Sequence, residues 1–346
     1  MTVGAAQQTS QMFREAAEAP DAVARQLGAN RTVLQAIGAR LRRHKPRAVM
    51  TGARGSSDHV ATYAKYLIET RTGTLTSSTG LSVSSIYAAQ QRFDDVLFLA
   101  ISQSGRSPDL LASALAAKAG GAFVVALVND SASPLAALAH EVVPLRAGPE
   151  TSVAATKTYL ASAAAIAALV CEWTEDRALA AALDALPGDM RKAWRCDWSA
   201  AVAKLKSAND LYTIGRGLGF GTAQEVALKF KETCGLHAEA FSAAEVLHGP
   251  MALVVKGFPV LMLAQRDETR AGLEELAARL VAAGSELLVA GFEVPGATTL
   301  PSIAAHPAME PILLAQSSYR MIEALARARA FDPDRPPNLN KITETT

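Results

Sequence analysis

The run Ser102-Gln103-Ser104-Gly105-Arg106-Ser107-Pro108-Asp109 packs three hydroxyls, one amide and a glycine ahead of a proline. Pro108 suits the first position of a helix, because it has no N–H to satisfy and its φ is already helical. Ser107 then falls at the N-cap. The residues before it offer hydroxyls, the Gln103 amide and backbone N–H groups at the positive end of that helix. Such a set suits an anion, and a phosphate best. A second hydroxyl-bearing turn is Gly55-Ser56-Ser57.

The densest polar stretch is ALKFKETCGLHAEAFSAAEVLHGP, 227–250. It begins as a helix, with Glu225, Lys229 and Glu232 on nearby faces at i, i+4 and i+7. Glu239, Glu245 and His248 follow before His-Gly-Pro ends the element. A carboxylate near a histidine can divide general-base and ring-opening work. A solvated helix face with a few ion pairs has the same composition, so the residues alone leave both readings open.

Other chemistries lack their residues. Gly215-Arg216-Gly217-Leu218-Gly219 misses the third glycine of a dinucleotide fingerprint, and no GxxxxGK[ST] or HExxH occurs. His237-Ala238-Glu239 imitates the start of a zinc deaminase signature, but no PCxxC follows. No metal site and no cofactor is expected.

The elements that carry these residues recur. RAVMTGARGSS (47–57) and DLYTIGRGLGFG (210–221) each read as a strand ending in a glycine turn, with Gly55 and Gly217 162 apart. DVLFLAISQSG (95–105) pairs with FPVLMLAQRDE (258–268), and GAFVVALVND (121–130) with GSELLVAGFE (284–293), at offsets of 164 and 163. Three strands in one order at one offset predict a duplicated unit. Helical patterns over Asp109–Ala119 and Thr269–Ala283 alternate with them, as in βαβ units. Nearly all-apolar strands predict sheets covered on both faces. The fold class expected is α/β: two tandem doubly wound parallel-sheet domains, flavodoxin-like, with helices on both faces.

In such sheets ligands bind at the carboxyl ends of the strands, where both serine turns fall. The second copy instead carries Gln265-Arg266-Asp267-Glu268, whose carboxylates repel an anion. Helices are expected over Asn30–Arg43 and Trp194–Ser207 as lead-ins to each copy. Ala185–Asp189 reads as the linker. The expected division is 1–46 helical, 47–187 first domain, 188–330 second domain and 331–346 an extended, proline-rich tail.

At 346 residues the chain has room for about two domains. Half the residues are hydrophobic and 19% are charged, which excludes disorder. Lys and Arg number 34 against 33 Asp and Glu, so no basic surface for nucleic acid is expected. The longest apolar stretch, Tyr159 to Val170, is 12 residues. A membrane span needs about 20. The opening MTVGAAQQTS lacks the pattern of a signal peptide. Three scattered cysteines, Cys171, Cys196 and Cys234, read as reduced thiols of a cytoplasmic protein.

With these residues assembled, the chain resembles sugar isomerase (SIS) domains, which bind phosphosugars. It looks most like the isomerase half of glucosamine-6-phosphate synthase and like stand-alone SIS-type glucosamine-6-phosphate deaminases. The matching segments are GSS at 55–57, SQSGRSPD at 102–109, GPETSVAATKTY at 148–159, LKFKETCGLHAEAFSAAEVLHGP at 228–250 and NLNK at 338–341. They span nearly the whole chain. The resemblance implies a phosphate loop of Ser102, Gln103, Ser104 and Ser107. It implies sugar contacts at Ser57 and Val153, with Ser56 and Ala155 beside them. Glu232 matches the carboxylate that moves a proton between C1 and C2. His248 matches a ring-opening histidine supplied by a neighbouring subunit, which implies a homodimer. Lys341 matches a lysine able to form a Schiff base with the ketose, so the tail should fold back over the strand ends with Leu339 as its anchor. Arg106 departs from an acidic residue common in the synthase loop, and Ala155 from a frequent serine.

The synthase also carries a glutamine-hydrolysing domain with an N-terminal cysteine. Only about 46 residues precede the first strand here, too few for another domain. The resemblance then implies conversion of glucosamine 6-phosphate and water to fructose 6-phosphate and ammonia. The alternatives are a synthase using free ammonia or a separate glutaminase, a fructosamine-phosphate deglycase, and a phosphosugar-sensing module. Retention of Glu232, His248 and Lys341 together favours an enzyme.

Overall fold

The computed structural model describes residues 9–341. Most of the opening segment read for a signal peptide, and the tail beyond Lys341, lie outside them. Among the described residues no helix is long and apolar enough to cross a membrane.

Five strands form the first sheet: β1 Ala48–Gly52, β2 Thr76–Ser78, β3 Val96–Ser102, β4 Phe123–Val128 and β5 Glu141–Pro144. They lie in the order β2-β1-β3-β4-β5. Five more form the second: β6 Asp210–Gly215, β7 His237–Ser242, β8 Pro259–Leu263, β9 Glu286–Ala290 and β10 Thr298–Leu300. Their order, β7-β6-β8-β9-β10, repeats the first sheet strand for strand. Every pairing is parallel. The three strands foreseen in each copy are thus the first, third and fourth of a flavodoxin-like sheet. All seven residues of β3 are buried, as befits a strand covered on both faces.

The helix Lys157–Thr174 is enclosed by other helices, and every residue of it but Glu172 and Thr174 is buried. A helix apolar all round belongs in a core. Its alanines let neighbours approach closely, and the N-terminal helix Gln11–Arg43 packs along it. The helices Ser56–Thr72 and Phe220–Cys234 pack against each other. Gly221 sits where they meet, and a Cβ there would overlap the His59 carbonyl. These two helices start from the first strand of each copy, so their contact joins one strand end to the other copy.

Three expectations need correction. The lead-in helix begins at Gln11, well before Asn30. Its counterpart, expected from Trp194 to Ser207, spans only Ser199–Leu205. The segment Ala185–Asp189 is no linker; it lies inside the helix Arg177–Ala193. Leu179, Leu183, Leu186, Met190 and Ala193 bury one face of that helix. Their packing outweighs the roughly 3 kcal/mol that an interior proline such as Pro187 costs.

Candidate active site

In a sheet of this order the strands reverse direction of progress between the first and third, and the loops leaving those two strands open a crevice. In the first sheet these loops are Ala53–Gly55 after β1 and Gln103–Ser107 after β3. A cavity of about 370 Å³ lies there, lined by Ser56, Ser57, Ser102, Gln103, Ser104, Ser107, Val153, Ala155, Glu232 and Lys341. The two serine turns, the 148–159 segment, the second copy's helix and the tail therefore meet at one place.

The loop after β3 is shaped for close approach. Gly105 has φ of +63°, and a Cβ on it would overlap the Ser133 hydroxyl. The Ser102 hydroxyl accepts from the Gly105 N–H at 3.0 Å, closing a tight turn. The helix Pro108–Ala119 begins with Pro108, as expected. Ser107 stands at the N-cap position, yet its side chain makes no capping bond and lines the cavity instead. Behind the loop, buried Asp109 accepts from Arg54 Nε at 2.8 Å, and the Arg54 side chain borders the cavity. Arg106 turns outward to Asp130 at 2.8 Å, so its exchange for an acidic residue is met by a surface pair. The Arg106 hydrogen bond holds the Asp130 carboxyl below its usual range.

The opposite wall comes from the helix Phe220–Cys234. Lys229 is wholly buried, 2.5 Å from Glu232 Oε2 and 3.5 Å from Glu225 Oε1. Glu225 also accepts from Ser56 at 3.2 Å and Tyr319 at 3.0 Å, and its Oε2 lies 3.0 Å from His59 Nδ1. Burial alone would raise the Glu225 pKa, but Lys229, His59 and Ser56 outweigh it and hold it below the usual range. Burial would lower that of Lys229, but Glu225 and Glu232 outweigh it and raise it. Glu225 and Lys229 are thus a fixed charge pair behind Glu232.

The tail folds back onto the site. Lys341 Nζ donates to the Ser152 carbonyl at 2.6 Å and lies 3.7 Å from buried Glu150. Glu150 accepts from the Thr156 and Thr158 N–H groups and, at 2.5 Å, from the Thr158 hydroxyl. Leu339 is not the anchor expected: it lines the cavity with 43% of its surface exposed. Buried Pro333 and Pro336 secure the tail, together with Asp334, which accepts from the Gln11 and Met12 N–H groups at 2.6 and 2.8 Å.

His248 does not join this cluster. It is exposed, on a turn after the short helix Ala243–Val246, and lines no part of the cavity. Arg54 and Glu150, in contrast, were not foreseen as site residues. Arg54 adjoins the glycine turn, and Glu150 falls inside the matched 148–159 segment, but only the fold shows what each touches. The thiols are poor nucleophiles: burial pushes Cys171 and Cys234 up to about 11.

In the second sheet Gln265 bridges the two loops at the equivalent strand ends. Buried Gln265 donates to the Arg216 carbonyl at 2.8 Å, to Asp267 at 2.9 Å and to the Thr269 hydroxyl at 3.1 Å.

A family model of the SIS domain matches residues 41–171 and 204–289. The glutamine–fructose-6-phosphate aminotransferase (isomerizing) of Aeropyrum pernix is 35% identical over 313 residues, covering 85% of this chain and 50% of that protein. That of Thermus thermophilus is 33% identical over 312 residues, covering 83% and 50%. The chain thus spans about half the length of the curated relatives it matches. A solved structure from Silicibacter pomeroyi DSS-3, a provisionally assigned phosphosugar isomerase, aligns with a TM-score of 0.91 at 44% identity, covering 94% of this chain and 100% of that one. The C-terminal domain of glucosamine-fructose-6-phosphate aminotransferase from Francisella tularensis shares the fold, with a TM-score of 0.86 at 24% identity, covering 96% and 100%. With both sheets in one strand order and the family's model matching in each half, this chain belongs to the SIS domain family.

Proposed function

We propose that the cavity binds a phosphosugar and interconverts aldose and ketose forms, releasing ammonia from an aminosugar. The reaction is glucosamine 6-phosphate plus water to fructose 6-phosphate plus ammonia. One observation carries this reading: a hydroxyl-rich anion loop, a carboxylate and a lysine ammonium line a single cavity. The isomerase names of relatives agree with it.

In this reading Ser102, Gln103, Ser104 and Ser107 hold the phosphate at the helix N-terminus, with Arg54 close by. Ser57, Val153 and Ala155 contact the sugar. Ser56 serves more through Glu225 and Lys229 than through substrate, since its hydroxyl is bonded to both. Glu232 removes the C2 proton of the open-chain aldose and returns a proton at C1. The product is an imine at C2. Lys341 attacks that carbon as the free amine, ammonia leaves, and water then hydrolyses the lysine Schiff base to the ketose. Each step conserves atoms, and no oxidant or reductant enters. His248 would open the sugar ring in the site of a second copy, because in its own chain it lies away from the cavity.

A second reading is synthesis with ammonia from another source, favoured by the aminotransferase names of curated relatives. Purified protein with glucosamine 6-phosphate, assayed for ammonia and fructose 6-phosphate, tests the first. Fructose 6-phosphate with ammonium or glutamine, assayed for glucosamine 6-phosphate, tests the second. Turnover of a fructosamine phosphate alone would replace both with a deglycase. Binding without any turnover would leave a phosphosugar sensor.

A further inference from the structure

Glu15 lies on the N-terminal helix, outside both matched SIS segments, and is 1% exposed. Its carboxylate reaches a loop far along the chain. It accepts from the Thr151 N–H at 2.5 Å, the Thr151 hydroxyl at 3.2 Å and the Ser152 N–H at 3.2 Å. Gln11 Nε2 adds a fourth bond at 3.1 Å. Hydrogen bonds from backbone amides to an ionised carboxylate are short and strong, so they fix a loop firmly. The carbonyl of that same Ser152 accepts from Lys341.

The same helix holds the loop at its other end. Buried Lys157 bonds Glu18 at 2.7 Å and the Pro149 carbonyl at 2.8 Å. The helix start in turn binds Asp334 of the tail. One helix therefore grips the loop that receives Lys341 and the tail that delivers it.

We propose that Glu15 is a positioning residue for Lys341: it sets the Ser152 carbonyl that holds the lysine at the cavity wall. This rests on the reading of Lys341 as the amine that attacks the sugar. Glu15→Gln keeps the side-chain volume but turns one acceptor oxygen into an N–H donor facing N–H donors. The 151–152 peptide, whose Ser152 N–H faces Glu15, then shifts and carries the adjoining Ser152 carbonyl with it, so Lys341 loses its acceptor. The anion loop is contributed by a different strand end and keeps its geometry.

The test uses the full chain as wild type and as Glu15→Gln. Borohydride trapping of fructose 6-phosphate on Lys341 is followed by mass spectrometry. Binding of glucitol 6-phosphate, which has no carbonyl, is measured by calorimetry. Hydrogen exchange is read at 151–153 and 338–341. The expected result is at least tenfold slower trapping and turnover, glucitol 6-phosphate affinity within twofold, and faster exchange in both segments. Wild-type trapping and exchange in the variant would overturn the proposal, as would equal loss of trapping and of glucitol 6-phosphate binding. A wild-type chain that is never trapped overturns the lysine reading instead, and the exchange comparison still decides whether Glu15 holds the tail. Should Glu15→Gln not fold, Glu15→Asp, whose shorter arm reaches fewer of the loop's donors, supports the same comparison.

Discussion

Lys229 Nζ lies 2.5 Å from Glu232 Oε2, three residues along one helix, with the lysine sealed from solvent and the carboxylate at the cavity wall. Glu225 pairs with the same ammonium from behind at 3.5 Å. A buried carboxylate and a buried ammonium thus balance each other, leaving Glu232 the member of the cluster that faces the cavity. The cluster spans both copies of the repeat, because Ser56 and His59 from the first copy bond the same Glu225.

Removing the lysine by Lys229→Met strands a buried carboxylate, which costs about 3–5 kcal/mol near neutrality. The sign with pH follows from the shifts. Glu225 is lowered in the folded chain, so its contribution is present above the unfolded value of about 4.3 and is lost as pH falls through the folded one. Lys229 is raised, so its contribution is present below about 10.4 and is lost as pH rises through the folded value. In Lys229→Met the stranded carboxyl can take up a proton, so the deficit should shrink from pH 8 to pH 5. Thermal melts across that range check this, and a constant deficit would show that the pair does not carry the charge balance.

The inner strands were legible because each is a short, largely apolar run. The outer strands were not. β2 is Thr-Ser-Ser, β10 has three residues, and β7 reads His-Ala-Glu-Ala-Phe-Ser, whose polar edge looks like the continuation of a helix. The tetrapeptide Ala-Leu-Pro-Gly suggested a break that a five-residue apolar stripe overrides. The loop after β3 and the helix start at Pro108 could be read from the sequence, since strand, serines and Pro108 are contiguous. Glu15, Glu150 and Arg54 could not. Each acts through a partner distant in sequence, and only the fold brings Glu15 to Thr151 or Lys341 to Ser152.

Replacing both Ser102 and Ser104 by alanine removes two hydroxyl donors near the anion position, each bond to a charged group being worth about 1.5–3 kcal/mol. KM for the phosphosugar should rise at least tenfold. Circular dichroism should stay unchanged, because the loop loses only two side-chain acceptors, Ser102 for the Gly105 N–H and Ser104 for the Arg106 N–H. An unaltered KM would remove phosphate from this loop.

His248, exposed and outside its own chain's cavity, gives a complementation test. Glu232→Gln and His248→Ala chains should each be nearly inactive. Mixed and re-assembled, they should recover part of the activity, since some sites then draw Glu232 from one chain and His248 from another. Full activity in a species that light scattering shows to be monomeric would refute the shared site.

The tail separates stability from turnover within a few residues. Asp334 binds two N–H groups at the start of the N-terminal helix, an anion where the helix dipole favours one. Pro333 and Pro336 are buried, whereas residues 337–340 are exposed, and Leu339, Asn340 and Lys341 line the cavity. Deleting 337–346 should therefore abolish turnover and leave the melting temperature nearly unchanged. Deleting 333–346 removes Asp334 as well, and loss of such a cap costs about 0.5–2 kcal/mol, so the melting temperature should fall by about 1–3 degrees. A chain cut at 337 that turns over glucosamine 6-phosphate normally would show that Lys341 takes no part in the reaction. The Ser152 contact would then be a structural tether rather than the seat of a nucleophile.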